Sequence, residues 1–118
     1  MSKYRSVRTV ADGIRFDSKA EAMRYGELKL LEHCGKIMDL ELQPVYVLVQ
    51  PFTERDGKKN RGIKYIADFR YLDLGSNRSV TEDVKGVRTA VYRLKRTLLF
   101  HFHPDVNFVE VATGSART

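Results

Sequence analysis

Between Tyr65 and Lys85 the chain reads Y-I-A-D-F-R-Y-L-D-L-G-S-N-R-S-V-T-E-D-V-K, which places acids inside two otherwise apolar, extended-looking runs. Ile63 to Leu72 is rich in β-branched and aromatic residues, Gly75-Ser76-Asn77 breaks it, and Ser79 to Lys85 resumes the pattern, so the segment is predicted to be a β-hairpin. Strand side chains alternate between faces, which puts Asp83 and Lys85 on one face and Val84 on the other. If Asp68 faces the same way from the neighbouring strand, two carboxylates and one ammonium converge. Hard oxygen donors that close together suit Mg²⁺ or Mn²⁺, and a lysine beside them can hold a water or steady developing phosphate charge. The same alternation sends Glu82 to the opposite face with Val80 and Val84; a bulge in the strand would exchange it for Asp83. An ordinary cross-strand ion pair is the competing reading of these residues.

Two helices are expected around this hairpin. Ser18-Lys19-Ala20-Glu21 has capping-box spacing, and a helix follows to about Cys34, where Gly35 stops it. Two readings are open for Glu21. Its carboxylate can fold back onto the Ser18 amide, or it can point to the sheet along the stripe of Tyr25, Leu28 and Leu31. Met23, Leu30 and Cys34 form a second apolar stripe, which implies burial on two sides or a dimer contact, and Cys34 is expected to be a buried thiol. Thr89 caps a second helix running to about Phe102, before Pro104. Its core stripe is expected to be Val91, Leu94, Leu98, Leu99 and Phe102, with Arg93 and Arg96 opposite. Lys95 falls within the stripe and must either snorkel out or reach toward the acids. His101 and His103 suit the negative end of the helix dipole.

The remaining segments are extended. Ile37 to Leu42 and Val45 to Phe52 read as strands on either side of Gln43-Pro44. For Gln43 the choice is between satisfying local backbone groups and orienting a water or contacting DNA. Asp12-Gly13 marks a short hairpin, Asp56-Gly57 turns a basic loop from Glu54 to Arg61, and Val106 to Ala112 supplies a last strand. Residues 1–8 read as a basic arm and residues 114–118 as a frayed tail. The resulting order is hairpin, helix, three or four strands, helix, strand: an α/β core with a mixed central sheet flanked by helices, in one domain of 118 residues.

Charge narrows the partner. Lys and Arg number 21 against 15 Asp and Glu, a formal net charge of +6, which favours a polyanion such as nucleic acid over an acidic small molecule. Arg55, Lys58, Lys59 and Arg61 in the loop, with Lys95 and Arg96 on the second helix, are the candidate nucleic-acid contacts. One cysteine excludes an internal disulfide and a cysteine-based zinc cluster. With no apolar run near the ~20 residues that span a bilayer, a soluble, cytoplasmic protein is expected, with no membrane partner and no small-molecule cofactor.

Taken in order, F-D-S-K-A-E (Phe16 to Glu21), L-E-L-Q-P (Leu40 to Pro44), Y-I-A-D-F (Tyr65 to Phe69) and E-D-V-K-G (Glu82 to Gly86) resemble the PD-(D/E)XK nuclease superfamily, and within it a small family of phage-encoded proteins. Ala67 stands where the motif's name expects proline. The resemblance implies a restriction endonuclease-like core. It also implies Asp68 and Asp83 as ligands of Mg²⁺ or Mn²⁺, with the Val84 carbonyl joining them. Glu21 would complete a second site or hold a metal-bound water, and Lys85 would position the attacking water or stabilise the phosphorane. The expected activity is metal-dependent hydrolysis of DNA phosphodiesters by an endonuclease in phage DNA recombination, repair or processing. In so small a chain it would select branched structure, such as a Holliday junction, over sequence. The alternative is a nuclease fold kept for DNA binding or assembly without turnover. An RNA-associated role has less support, because the aromatics show no paired stacking motif. Cutting both strands with one site per chain, together with the two-sided apolar first helix, leads to an expected homodimer.

Overall fold

A computed structural model describes residues 9–112; the expected arm at 1–8 and tail at 114–118 lie outside them. The chain opens with a hairpin, β1 (Thr9–Ala11) and β2 (Ile14–Phe16), whose turn residues Asp12 and Gly13 both have positive φ, 52° and 74°. That pair of angles matches the right-handed twist of the strands it joins. Helix α1 (Lys19–His33) follows. Ser18 is its N-cap, accepting the Glu21 amide at 3.1 Å, and Gly35 at φ 76° ends it. Only Ala22, Tyr25 and Leu28 of α1 are fully buried, so its core stripe is narrow.

Strands β3 (Ile37–Leu42) and β4 (Val45–Val49) pair with β8 (Phe69–Asp73) and β7 (Ile63–Ile66) respectively, all antiparallel. The segment expected as one strand from Ile63 to Leu72 is thus two, interrupted at Ala67-Asp68 opposite the Gln43-Pro44 break. Proline lacks the ladder N–H, and Gln43 takes φ 53°, so neither can continue a flat strand. Backbone bonds bridge the break: Gln43 N–H to the Asp68 carbonyl at 2.9 Å and Ala67 N–H to the Pro44 carbonyl at 3.1 Å. Val45 to Phe52 is also divided. Beyond β4 a small hairpin, β5 (Phe52–Thr53) and β6 (Lys59–Asn60), carries the basic loop, with Gly57 at φ 91° in its turn.

Strand β9 (Arg78–Lys85) pairs antiparallel with β8, and β10 (Phe108–Ala112) runs parallel to β9 after helix α2 (Ala90–Phe102), giving a mixed sheet in the order β10-β9-β8-β3. Two clusters cover β9. Val80 and Val84 join Phe16, Tyr25, Leu28 and Phe69 beneath α1, while α2 packs Tyr92 and Leu99 against Leu48, Tyr65 and Ala67 of the β4–β7 ribbon and its break. Each fully buried Leu28, Leu99 or Phe69 contributes about 1.5–3 kcal/mol relative to exposure.

Two burial expectations are corrected, and for the second α1 stripe the alternative of burial within the chain is removed. Cys34 is exposed, because it caps α1 just past its last turn and does not continue a stripe. On α2, Val91, Leu94 and Phe102 are exposed and only Leu99 of the expected stripe is fully buried. The helix rests on the narrow two-stranded ribbon, which reaches only its Tyr92-Leu99 side. Met23 and Leu30 on α1 are also exposed, at 58% and 63%, because the β1–β2 hairpin covers the Tyr25 side. Among the described residues no helix is long and apolar enough to cross a membrane.

A buried acid and lysine cluster at the strand break

The break at Ala67-Asp68 is where the site is built. The β8–β9 register pairs Phe69 with Glu82, and its continuation sets Asp68 opposite Asp83. Asp68 N–H bonds both to the Glu82 carbonyl at 3.0 Å and to Asp83 Oδ1 at 3.1 Å, while Asp68 Oδ2 accepts the Val84 N–H at 2.7 Å. Asp83 is thereby held by the Asp68 amide, and Asp68 by the Val84 amide that follows Asp83. Val84 enters the site through its amide. Tyr65 donates its hydroxyl to Asp83 Oδ2. From α1, Glu21 lines the same cleft as Asp68 and the two carboxyls influence each other's titration, while Glu21 also accepts the Ser18 hydroxyl at 3.2 Å; the fold-back is thus to the hydroxyl and not to the Ser18 amide. Lys85 acts on all three carboxylates electrostatically, and its Nζ lies 4.5 Å from the centre of the Tyr92 ring.

Crowding of like charges away from water changes how these acids titrate. Burial, reinforced by the neighbouring Glu21, pushes Asp68 up to about 6 against the pull of the Val84 amide. Burial pushes Asp83 up to about 7, with Asp68 adding to it and the Tyr65 hydroxyl opposing it. Glu21 is raised too, chiefly by desolvation. All three acids therefore bind protons more readily than free carboxyls, a divalent cation competes with those protons, and their oxygen donors suit Mg²⁺ or Mn²⁺. Among the described residues no three carboxylate, histidine or cysteine groups already form a ready-made cage.

Register decides between the neighbouring acids. From Phe69↔Glu82 to Asp73↔Arg78 it runs without a bulge, so Glu82 faces α1 and Asp83 faces the site. Glu82 is spoken for: Arg24 Nε and Nη2 grip it at 2.8 and 2.6 Å and the Tyr71 hydroxyl donates to it. This Arg24–Glu82–Tyr71 knot was not read from the sequence. The only hint was an acid alternating with Val80 and Val84.

Two clefts open beside the cluster. One of about 110 Å³ lies between β2 and the break, lined by Glu21, Gln43 and Asp68; the exposed Gln43 side chain borders it. The other, about 270 Å³, lies on the α2 side and contains Asp83, Lys85, Tyr92 and Lys95. Lys95 is half-buried on the wall of this cleft and, among the described residues, makes no ion pair with the acids. Arg96 does not share that cleft; it stacks over Phe100, 4.7 Å from the ring centre, with its Nε 3.9 Å from Glu110. Arg55, Lys58, Lys59 and Arg61 are exposed on the β5–β6 hairpin and its exit. Arg61 lies seven residues before Asp68 along an extended chain, on the order of 20 Å away. A larger concavity, about 530 Å³, lies at the far end of α2 near Tyr46, Arg70 and His103. Its main polar groups are paired, Tyr46 with Thr81, Arg70 with Glu41 and His103 with the Val47 carbonyl, and no acid cluster adjoins it.

Fold and site together define a mixed α/β protein that carries a buried carboxylate cluster with a lysine at a break in its sheet. Residues 1–115 match the model of a family described as a protein of unknown function (DUF1064), and the chain belongs to that family. No curated protein and no solved structure matches it.

Proposed function

We propose that the protein is a metal-dependent DNA endonuclease of the PD-(D/E)XK type, with a restriction endonuclease-like core. The observation that carries this reading is the convergence of Glu21, Asp68 and Lys85, all half-buried, on the buried Asp83 carboxylate, from a helix, a strand break and one face of a strand. Asp68 and Asp83 would hold Mg²⁺ or Mn²⁺, with Glu21 next to them. Bound there, the ion would supply charge neutralisation at the reacting phosphate and make a water acidic enough to attack. The chain's own part is positioning. Tyr65 and the Asp68 amide fix the Asp83 carboxylate, the Val84 amide fixes Asp68, and Lys85 supplies a cation for the attacking water or the developing phosphorane charge. The net positive charge favours DNA as substrate, with contacts mainly to phosphate and hence selection of branched structure. The exposed Met23 and Leu30 support a homodimer through α1.

Incubation with Mg²⁺ or Mn²⁺ and linear, flap and four-way DNA tests the proposal. Cleavage by the wild type and its loss in Asp83→Asn are expected; no cleavage of any substrate refutes it. A second reading, a DNA-binding module without turnover, draws on the existing bonds of Asp83 to Tyr65 and Asp68. Titration calorimetry with Mn²⁺ separates the two: an enzyme binds the ion in a manner lost in Asp68→Ala, and a binding module shows no such site.

A further inference from the structure

The 270 Å³ cleft beside Asp83 gathers Lys64 from β7, Lys85 from β9 and Lys95 from α2, lysines from three separate elements. Among the described residues neither Lys64 nor Lys95 has an ion-pair partner, whereas most other cations near the folded core do: Arg24, Arg70, Arg88 and Arg96 all face carboxylates. The same cleft holds Thr89 and Tyr92 from the start of α2. Thr89 Oγ1 caps the Tyr92 N–H at 3.0 Å, and no acidic residue occupies that first turn to offset its partial positive charge further. Asp83 is the one carboxylate on the cleft wall, and it is turned to Tyr65 and Asp68. Unpaired ammonium groups around a small concavity, with a helix N-terminus opening into it, match the charge and size of one backbone phosphate. The volume is far too small for a duplex.

We propose that Lys64, Lys95 and the first turn of α2 form a subsite for the nucleic-acid phosphate adjoining the one held at Asp68 and Asp83. The inference rests on the nuclease or DNA-binding reading above and extends it by naming where the strand leaves the acid cluster, past α2. Lys64 is exposed and Lys95 half-buried on its cleft wall, so either can contact phosphate without a change in the fold.

Fluorescence anisotropy of a labelled DNA duplex, titrated with the full-length metal-free protein across a salt series, tests this without any cleavage. Lys64→Ala/Lys95→Ala is expected to weaken binding about tenfold at low salt and to reduce the slope of log affinity against log salt by about 1, the loss of one phosphate contact. Lys64→Arg/Lys95→Arg is expected to keep the slope. A charge-matched control, Lys36→Ala/Arg78→Ala, removes exposed cations at the opposite end of β9 and should leave the slope unchanged. An unchanged slope in the alanine pair, or an equal loss in the control, overturns the subsite while leaving DNA binding intact. A wild type that binds no DNA overturns the subsite and the DNA reading together.

Discussion

Between Glu82 and Asp83 the backbone turns through one pleat, and that pleat sends two fully buried carboxylates into opposite surroundings. Glu82 meets a guanidinium and a tyrosine hydroxyl; Asp83 meets Asp68, Tyr65 and Lys85. The consequence is measurable as pH dependence. Asp68 near 6 and Asp83 near 7 both lie above the ordinary aspartate value, so the folded protein holds protons that the unfolded chain releases. Their stabilising contribution is complete below about pH 4 and is lost as pH rises through 6 and 7. Glu32, Glu41, Asp73 and Glu110 are shifted downward and act with the opposite sign at lower pH. The informative quantity is therefore the difference between variants. Metal-free Asp83→Asn is expected to melt several degrees above wild type at pH 8, with the gap closing by pH 5, as followed by circular dichroism. A gap that does not depend on pH would show that Asp83 is ionised throughout. Divalent cation added at pH 8 should raise the wild-type midpoint and leave that of Asp83→Asn unmoved.

At the scale of elements, the long β3–β4/β7–β8 hairpin matters because it does two jobs in succession. Its first half completes the main sheet, and past Gln43-Pro44 and Ala67-Asp68 its second half leaves that sheet and carries α2. Asp68 sits at the bend because there the strand stops making a regular ladder and its carboxylate can cap the Val84 amide. A second turn, at Gly62, sets the far end of the ribbon. Gly62 has φ 75°, and a Cβ added there would lie 2.0 Å from the Val49 carbonyl oxygen, a backbone atom that cannot swing aside. Gly62→Ala is thus expected to lower stability by at least about 2 kcal/mol, combining left-handed strain with a forced shift of β4. Urea denaturation checks it. A loss under half that size would mean the β4–β7 end yields easily.

For the whole molecule, both helices carry exposed apolar residues, Met23 and Leu30 on α1 and Val91 and Leu94 on α2, besides those exposed on strands and loops such as Val45, Phe52 and Ile66. The β1–β2 hairpin packs with Phe16 against Tyr25, their ring centres 5.1 Å apart, and leaves Met23 and Leu30 exposed. Pairing through α1 is expected to give a dimer mass by light scattering at micromolar concentration, and Met23→Glu or Leu30→Glu should shift it to monomer. A monomeric wild type refutes the pairing; a dimer indifferent to both charges moves it to another face, with the α2 stripe next to be charged.

Local chemistry was enough to read the helices and the turns from the sequence. The Ser18 and Thr89 caps, the Gly35 stop and the Asp12-Gly13, Asp56-Gly57 and Gly75-Ser76-Asn77 turns each act within a few residues of themselves, so their spacing carries the information. Strand alternation made the shared face of Asp83 and Lys85 legible, whereas Asp68 entered only on condition of its facing and Glu21 only through the resemblance. Three things depended on contacts between distant segments. Arg24 chose Glu82 across 58 positions. The break at Asp68 follows from pairing with Gln43-Pro44, which only the register reveals. The buried side of α2 was set by the width of the ribbon beneath it, and helical periodicity describes a stripe without knowing how much surface will meet it.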